Sequence, residues 1–148
     1  KRASLGHFKW VPDIDSYALF LDDSLTGGKS LFQIDLVTAD TTLMVSSENF
    51  IINEDTLHVT GFWFSPDGDN LLLLTRKRKQ WRHSFFGIYY NYSILHNQLK
   101  PIAKGEHLRN INYAPDSRKI AYVKEDNNLY AFEIRQNKEK KQIGRAHV

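Results

Sequence analysis

A dense group of cations around one tryptophan is the segment of this 148-residue sequence best suited to chemistry. It reads Arg76-Lys77-Arg78-Lys79-Gln80-Trp81-Arg82-His83-Ser84 and contains five Lys and Arg residues. A guanidinium presented from such a segment can hold a carbonyl or carboxylate oxygen in a fixed orientation. Cations beside an aromatic ring also suit phosphates and stacked bases, so nucleic-acid binding is a second interpretation. A solvated, charged hairpin tip without a ligand is the third.

The charge of the whole chain does not favour nucleic acid as the partner. Twenty Lys and Arg residues stand against seventeen Asp and Glu residues, which leaves a formal net charge of +3. Asp67 and Asp69 also precede the cationic segment closely. Because a mild charge excess indicates solubility more than any particular partner, we expect no nucleic-acid binding.

Other kinds of active site are excluded or unsupported by the sequence. There is no cysteine, so disulfides, thiolate zinc sites and cysteine nucleophiles are excluded within these residues. Thr26-Gly27-Gly28-Lys29-Ser30 lacks the earlier glycine of a phosphate-binding loop, since position 23 is Asp, and it predicts a hairpin turn. No Gly-x-Ser-x-Gly motif is present. The six histidines have no metal-ligand spacing, so we propose neither a metal nor a cofactor.

One triplet, Asn91-Tyr92-Ser93, fits the acceptor pattern for N-glycosylation. Such triplets also arise by chance, so the pattern supports a secreted location only weakly. Asn91 is a candidate glycosylation site.

The elements that must position these residues are strands, because apolar residues mostly alternate with polar ones. Turn-forming Pro, Gly, Asp and Asn residues separate the alternating segments. We therefore predict an all-β fold. The predicted strands include residues 32–36, 57–64, 70–75, 88–94, 119–124 and 129–134.

The strands recur in a fixed order. Three times an aromatic-rich strand runs into a Pro-Asp turn, at Pro12, Pro66 and Pro115, and two further strands follow. The prolines are 54 (66 − 12) and 49 (115 − 66) residues apart. Periods of about 40–50 residues with four short strands each are typical of propeller blades. We predict a partial β-propeller of about three four-stranded blades, with an ordinary β-sandwich as the alternative.

The middle repeat is longer than the others at one place. From proline to the matching aromatic residue of the third strand there are 20 residues in the first repeat (12 to 32), 24 in the second (66 to 90) and 15 in the third (115 to 130). The extra residues are those of the cationic segment. Since insertions in repeat proteins form loops on one face, often the binding face, we expect a functional loop at residues 76–86.

The chain itself is expected to be a piece of a longer protein. Three blades cannot close a ring of about four to eight, and the sequence starts with Lys1 instead of Met. We assign residues 1–142 to the propeller. Residues 143–148 read Ile-Gly-Arg-Ala-His-Val, which matches one reading frame of a common sequencing adapter, and we expect this tail to be non-native. A genuine fourth strand of the last blade is the alternative for the tail.

The cationic segment also carries a resemblance to a known family. Lys79-Gln80-Trp81-Arg82-His83-Ser84, between Ser65-Pro66-Asp67-Gly68 and Phe85-Phe86-Gly87-Ile88-Tyr89-Tyr90, resembles the N-terminal propeller of the dipeptidyl peptidase IV family. Ile120-Ala121-Tyr122-Val123 and Asn127-Asn128-Leu129-Tyr130 resemble the next blade. The similarity covers about residues 7–135, and Gln-Trp-Arg-His-Ser is its specific part, since Ser-Pro-Asp-Gly turns recur in many propellers.

The resemblance implies a serine exopeptidase that removes dipeptides from free N-termini, often after proline or alanine. It implies that Arg82 binds the carbonyl between the first and second substrate residues. Trp81 and His83 are then expected to shape the loop that holds Arg82. The partners implied are a peptide with a free N-terminus and a C-terminal α/β-hydrolase domain, with homodimer formation left open.

Two departures from the family pattern limit what this chain can do alone. No Glu-Glu pair occurs to grip the substrate's ammonium group, and the catalytic Ser, Asp and His of the family are missing. We therefore expect no hydrolysis by these residues alone. Because some family members are inactive, a non-catalytic protein-interaction propeller is the alternative. The resemblance further implies a lumenal or extracellular protein of the secretory pathway, anchored by one membrane segment before Lys1 at the cell surface, Golgi or vacuole.

Overall fold

Strands and tight turns account for nearly all of the described chain. The computed structural model describes residues 8–25, 28–80 and 84–143, with the backbone alone described at 77–80, 84–85 and 143. Across these ranges the chain forms fourteen strands, two short 3-10 segments and no α-helix. The described residues contain no helix of the length and apolarity that would cross a bilayer. The all-β prediction is confirmed.

The strands form three successive four-stranded antiparallel blades, as predicted for a partial propeller. The first blade contains β1 (Phe8–Trp10), β2 (Ser16–Asp22), β3 (Lys29–Asp35) and β4 (Thr41–Val45). A small ladder follows, made of β5 (Ile51–Ile52) and β6 (Asp55–Thr56). The second blade contains β7 (Gly61–Phe64), β8 (Asn70–Gln80), β9 (Ser84–Ser93) and β10 (Gln98–Pro101). The third blade contains β11 (Leu108–Tyr113), β12 (Lys119–Lys124), β13 (Leu129–Glu133) and β14 (Lys138–Ile143).

The three Pro-Asp turns lie next to one another at one end of the blades. A side chain at Gly68 would lie 3.6 Å from Pro12, so the first and second turns are in contact. The amide of Asp67 donates a 3.0 Å hydrogen bond to the Ser117 hydroxyl, which joins the second turn to the third. Equivalent positions of the sequence repeat are therefore equivalent positions in space.

The central strand of the middle blade explains the longest aliphatic run of the sequence. Leu71 and Leu73 face the first blade, whereas Leu72 and Leu74 face the third, and all four side chains are buried. Successive residues of a strand point to opposite faces, so a strand covered on both faces needs a continuous apolar run. The two resulting cores hold the blades together. They also include Ala18, Leu31, Phe50, Phe62 and Tyr92 on one side and Ile102, Leu108, Ile120, Tyr122 and Phe132 on the other.

Several element boundaries differ from the sequence prediction. Only Gly61–Phe64 of the predicted strand 57–64 is a strand, because the preceding residues connect the small ladder to the second blade. The predicted strand 70–75 continues to Gln80. The fourth strand of the last blade ends at Ile143, and residues 144–148 of the predicted non-native tail lie outside the described residues.

Candidate functional site

The inserted residues of the middle repeat lengthen two paired strands. β8 has 11 residues and β9 has 10, whereas the second and third strands of the other blades have 5 to 7. Regular antiparallel pairs run from Arg76 with Ile88 to Gln80 with Ser84. We call residues 76–80 and 84–88 the hairpin extension. Residues 76–80 and 84–86 of the expected loop are thus corrected to paired strands, because strand pairing satisfies backbone groups that an open loop would leave to solvent.

The residues predicted to bind substrate and to shape the loop follow the last described pair of this hairpin, Gln80 with Ser84. Trp81, Arg82 and His83 connect Gln80 to Ser84 and lie outside the described residues. Their roles stay predictions.

A β-bulge at Thr75 sets the direction of the hairpin extension. Leu74 pairs with Tyr89, and the next pair is Arg76 with Ile88, so Thr75 has no partner in the ladder. Its hydroxyl instead donates a 3.1 Å hydrogen bond to the Ile88 carbonyl. A bulge bends the strand and increases its twist. The extension is therefore aimed differently from the lower half of the blade.

Gly87 marks the point at which β9 exchanges one neighbour for another. Tyr90 to Ser93 pair with β10, whereas Gly87 pairs with Leu108 at the start of β11. A Cβ at Gly87 would lie 3.0 Å from the Arg76 carbonyl oxygen and closer still to the buried Leu74 side chain. Only glycine fits this approach without displacement. The hairpin extension is thereby joined to the next blade.

Arg109 reaches the same region from β11, although nothing in the sequence pattern singled it out. Its guanidinium carbon lies 5.9 Å from the ring centroid of Phe86, which is buried in the hairpin extension. An Arg within about 6 Å of an aromatic face is attracted by the ring quadrupole. The sequence could have indicated the contact between Arg109 and Phe86 only if the pairing of Leu108 with Gly87 had been known.

A strained turn precedes β11 beside this junction. Ala103 and Lys104 have φ angles of 53° and 55°, and Gly105 follows with 82°. Two successive non-glycine residues in the left-handed region are costly unless the surroundings fix them. Burial of Ile102 and Ala103 in the core between the second and third blades provides that constraint. The turn delivers the chain directly to the Leu108–Gly87 pair.

An ion network lies on the third blade near the same end. The Lys124 ammonium contacts Glu139 at 2.7 Å and Glu106 at 3.3 Å, and it lies 4.3 Å from the Tyr130 ring centroid. Burial alone would lower the pKa of Lys124, but the hydrogen bonds to Glu139 and Glu106 outweigh it and raise that pKa. The Tyr122 hydroxyl donates to the second oxygen of Glu139. These groups contact one another, so their arrangement stabilises the blade.

A cleft of about 350 Å³ separates the innermost strands of the second and third blades. Burial raises the pKa of Tyr89, on its wall, to about 12. Burial, and to a smaller extent the Asp67 carboxylate, also raise the pKa of Tyr113. The lining residues are Trp63, Phe64, Pro66, Leu72, Tyr89, Ile111, Asn112 and Tyr113.

Asn91, the candidate glycosylation site, is a buried residue of the second blade that is 6% exposed. The amide nitrogen donates to Asn70 Oδ1 at 3.1 Å, and the amide oxygen accepts a hydrogen bond from the Tyr113 hydroxyl at 2.7 Å. Asn91 therefore makes side-chain hydrogen bonds to both the second and the third blade, and its glycosylation stays a prediction.

Three blades of this topology define the class of the chain as a β-propeller, and similarity to solved propellers agrees. The chain superposes on the crystal structure of Porphyromonas gingivalis dipeptidyl peptidase 4 with a TM-score of 0.74 and 20% identity, over 93% of this chain and 19% of that one. The β-propeller domain of the Trilobed protease from Pyrococcus furiosus gives a TM-score of 0.51 and 16% identity, over 96% of this chain and 43% of that one.

The sequence comparisons identify the family. Residues 32–145 match the model of the dipeptidyl peptidase IV (DPP IV) N-terminal region, so the chain belongs to the dipeptidyl peptidase IV family. Dipeptidyl aminopeptidase B of Saccharomyces cerevisiae is 32% identical over 120 residues, which are 81% of this chain. The matched region is 14% of the length of the yeast protein.

Proposed function

We propose that this chain is the propeller portion of a serine-type dipeptidyl peptidase and that Arg82 holds the peptide substrate. In this proposal the guanidinium donates to the carbonyl between the first and second substrate residues. Trp81 and His83 fix the conformation of the segment around it. The hydrolysis itself is assigned to a C-terminal α/β-hydrolase domain of the same protein.

The observation that carries the proposal is the hairpin extension of the middle blade. It is the part of the described chain that departs most from the blade repeat, and it leads directly into Trp81 and Arg82. The Thr75 bulge, Gly87 and the Leu108 pair all act on its base. A binding group gains most when its support is rigid, because less freedom is lost on binding. A stem built in this way suits a residue that must meet one substrate atom.

The chemistry of the two partners agrees with this role. Arg has N–H donors in a planar fork and remains charged at physiological pH. A hydrogen bond to a charged donor contributes about 1.5–3 kcal/mol, which corresponds to about a 10- to 150-fold change in affinity. Binding the carbonyl would fix the register of the substrate, so that cleavage follows its second residue.

The test is steady-state hydrolysis of an alanyl-prolyl chromogenic amide by the full-length protein. Arg82→Ala should lower kcat/KM by about tenfold or more. Arg78→Ala removes the same charge from the same hairpin and should change kcat/KM by less than about threefold. Equal losses in both variants would show a general effect of charge and would contradict the role of Arg82.

A substrate whose first amino group is acetylated provides a second readout. We expect the full-length protein to release the free dipeptide and to leave the blocked substrate intact. If neither substrate is cleaved, and the hydrolase domain lacks its nucleophilic serine, the non-catalytic interaction module becomes the better account.

The cellular location is part of the same proposal. We place the full-length protein in the lumen of the secretory pathway or outside the cell, held by one membrane segment that precedes these residues. Protease protection of the propeller in intact microsomes, lost when detergent is added, is the expected result. Digestion of the propeller without detergent would contradict it.

A further inference from the structure

Arg109 links two parts of the molecule that meet at the base of the hairpin extension. We propose that Arg109 is a positioning residue: its guanidinium, held between Phe86 and Asn127, fixes the hairpin extension against the third blade. The consequence for substrate binding rests on the function proposed above for Arg82. The consequence for the hairpin itself does not.

The register of the strands brings Arg109 and Phe86 together. Leu108 pairs with Gly87 in antiparallel register, so the next residue of β11 lies opposite the preceding residue of β9. Arg109 is therefore the cross-strand neighbour of Phe86, and such neighbours interact directly. The distance of 5.9 Å between the guanidinium carbon and the ring centroid agrees with this register.

The other end of the Arg109 side chain is tied to a turn. Nη2 donates a 2.6 Å hydrogen bond to Asn127 Oδ1, in the connection between β12 and β13. Asn127 has a φ of 65°, and its amide donates to the Lys124 carbonyl at 2.9 Å. The backbone on which Asn127 sits is thus held in one conformation.

Asp126 makes the same turn more rigid. One carboxylate oxygen accepts the Asn128 amide at 2.9 Å, and the other accepts the Tyr130 hydroxyl at 2.7 Å. These hydrogen bonds to backbone and side chain lower the pKa of Asp126, the Tyr130 bond having the larger effect. The anchor for Arg109 is therefore a turn fixed from both of its sides.

The backbone alone gives the hairpin extension little support from the third blade. Among the described residues, Leu108–Gly87 is the one ladder pair between β11 and β9. Beyond it β11 is irregular, since its register against β12 shifts between Arg109 and Asn112, and Asn110 has a φ of 53°. A second attachment would make the base of the extension more rigid. The Arg109 side chain supplies a second attachment one residue closer to Arg82.

The experiment uses the full-length protein and separates hairpin order from activity. Arg109→Met keeps much of the aliphatic length and removes the donors, Arg109→Lys keeps the charge without the fork, and Arg118→Met is the control. Arg118 lies exposed at the opposite end of the same blade. The readouts are amide hydrogen exchange at residues 84–88 and kcat/KM for the chromogenic dipeptide amide.

We expect Arg109→Met to speed exchange at residues 84–88 by about tenfold, with Arg109→Lys intermediate and Arg118→Met unchanged. Exchange in the centre of β12 should stay the same in all three variants. Unchanged exchange at residues 84–88 in Arg109→Met would overturn the positioning role, whatever the activity of any Arg82 variant.

The activity readout tests whether Arg109 acts through Arg82. Arg109→Met should lower kcat/KM by about fivefold or more in the parent protein and by less than about twofold when Arg82 is already alanine. Equal losses in both backgrounds would overturn an action through Arg82. If Arg82→Ala alone has no effect, the function proposed for Arg82 fails, and the exchange data still decide whether Arg109 holds the hairpin.

Discussion

Leu108 pairs with Gly87, and this pair joins the innermost strand of the third blade to the elongated third strand of the second. In this way two neighbouring blades share one eight-stranded sheet at the base of the hairpin extension. Leu108 is fully buried, and Gly87 leaves no room for a side chain. The base of the hairpin extension is therefore part of the packing between the two blades.

The first prediction concerns Gly87. Gly87→Ala should speed amide exchange at residues 84–88 by about tenfold or more, because overpacking in a well-filled interior costs about 1–3 kcal/mol. The added methyl group would meet the Arg76 carbonyl and the Leu74 side chain. Hydrogen exchange followed by mass spectrometry measures the effect.

A second variant shows whether the clash is the cause. In a Leu74→Ala background, part of the obstruction is gone. Gly87→Ala should therefore speed amide exchange at residues 84–88 by a smaller factor than it does in the parent. An equal cost in both backgrounds would mean that the close approach of Leu74 to Gly87 does not explain the glycine.

The ion network of Lys124 gives a prediction about stability. Lys124→Met should destabilise the propeller by about 1–3 kcal/mol, because it leaves the half-buried Glu139 carboxylate without its cation. The Lys124 side chain is 13% exposed and Glu139 is 27% exposed. Urea denaturation of the full-length protein, followed by tryptophan fluorescence, measures the change.

Lys119→Met is the matched control for this substitution. Its partner Asp116 lies at 3.2 Å, but both side chains are about half exposed, at 46% and 45%. An exposed pair contributes about 0–1 kcal/mol. If Lys119→Met lowers the free energy of unfolding as much as Lys124→Met does, burial does not decide how much each ion pair contributes.

The contact between the second and third Pro-Asp turns can be tested at Ser117. Ser117→Ala removes the acceptor for the Asp67 amide and should cost about 1 kcal/mol. Ser117→Gly also loses the hydroxyl but relieves the left-handed φ of 63°, so it should cost less. Since these turns lie at the end of the blades opposite the hairpin, kcat/KM should stay unchanged in both variants.

The sequence predicts the repeat better than it predicts the hairpin. Pro12, Pro66 and Pro115 mark equivalent turns because proline and aspartate impose local geometry that needs no distant partner. The run Leu71–Leu74 lies within a predicted strand, and the structure shows that this strand is buried on both faces. These features are readable because their causes lie within a few residues of each other.

The support of the candidate site has non-local causes. Arg76-Lys77-Arg78-Lys79 has a loop-like composition, yet it continues β8 because the complementary residues of β9 pair with it. Arg109 meets Phe86 only because Leu108 is in register with Gly87. Asn91 forms side-chain hydrogen bonds with Asn70 and Tyr113, which lie far from it in the sequence. No local pattern carries this information about register.

Alkaline pH should lower the free energy of unfolding through Tyr89, which lines the cleft between the second and third blades. Burial raises the pKa of Tyr89 from its ordinary value of 10.0 to about 12, so the folded state binds more protons than the unfolded state between those pH values. The stabilising contribution is complete below pH 10 and is lost as pH rises towards 12, with a slope of up to about 1.4 kcal/mol per pH unit. In urea denaturation at pH 9 to 12, the free energy of unfolding should fall less steeply with pH for Tyr89→Phe than for the parent. An identical slope in both proteins would contradict this role of Tyr89.

The most direct test of the whole account pairs Arg82 with the one substrate atom it is proposed to bind. A dipeptide inhibitor can be compared with an alkene isostere that lacks the carbonyl oxygen between its first and second residues. In the full-length parent protein, loss of that oxygen should weaken inhibition by about tenfold or more, and in Arg82→Ala it should change inhibition by less than about twofold. The same large loss in both proteins would contradict the account, because the oxygen would then be held by another group.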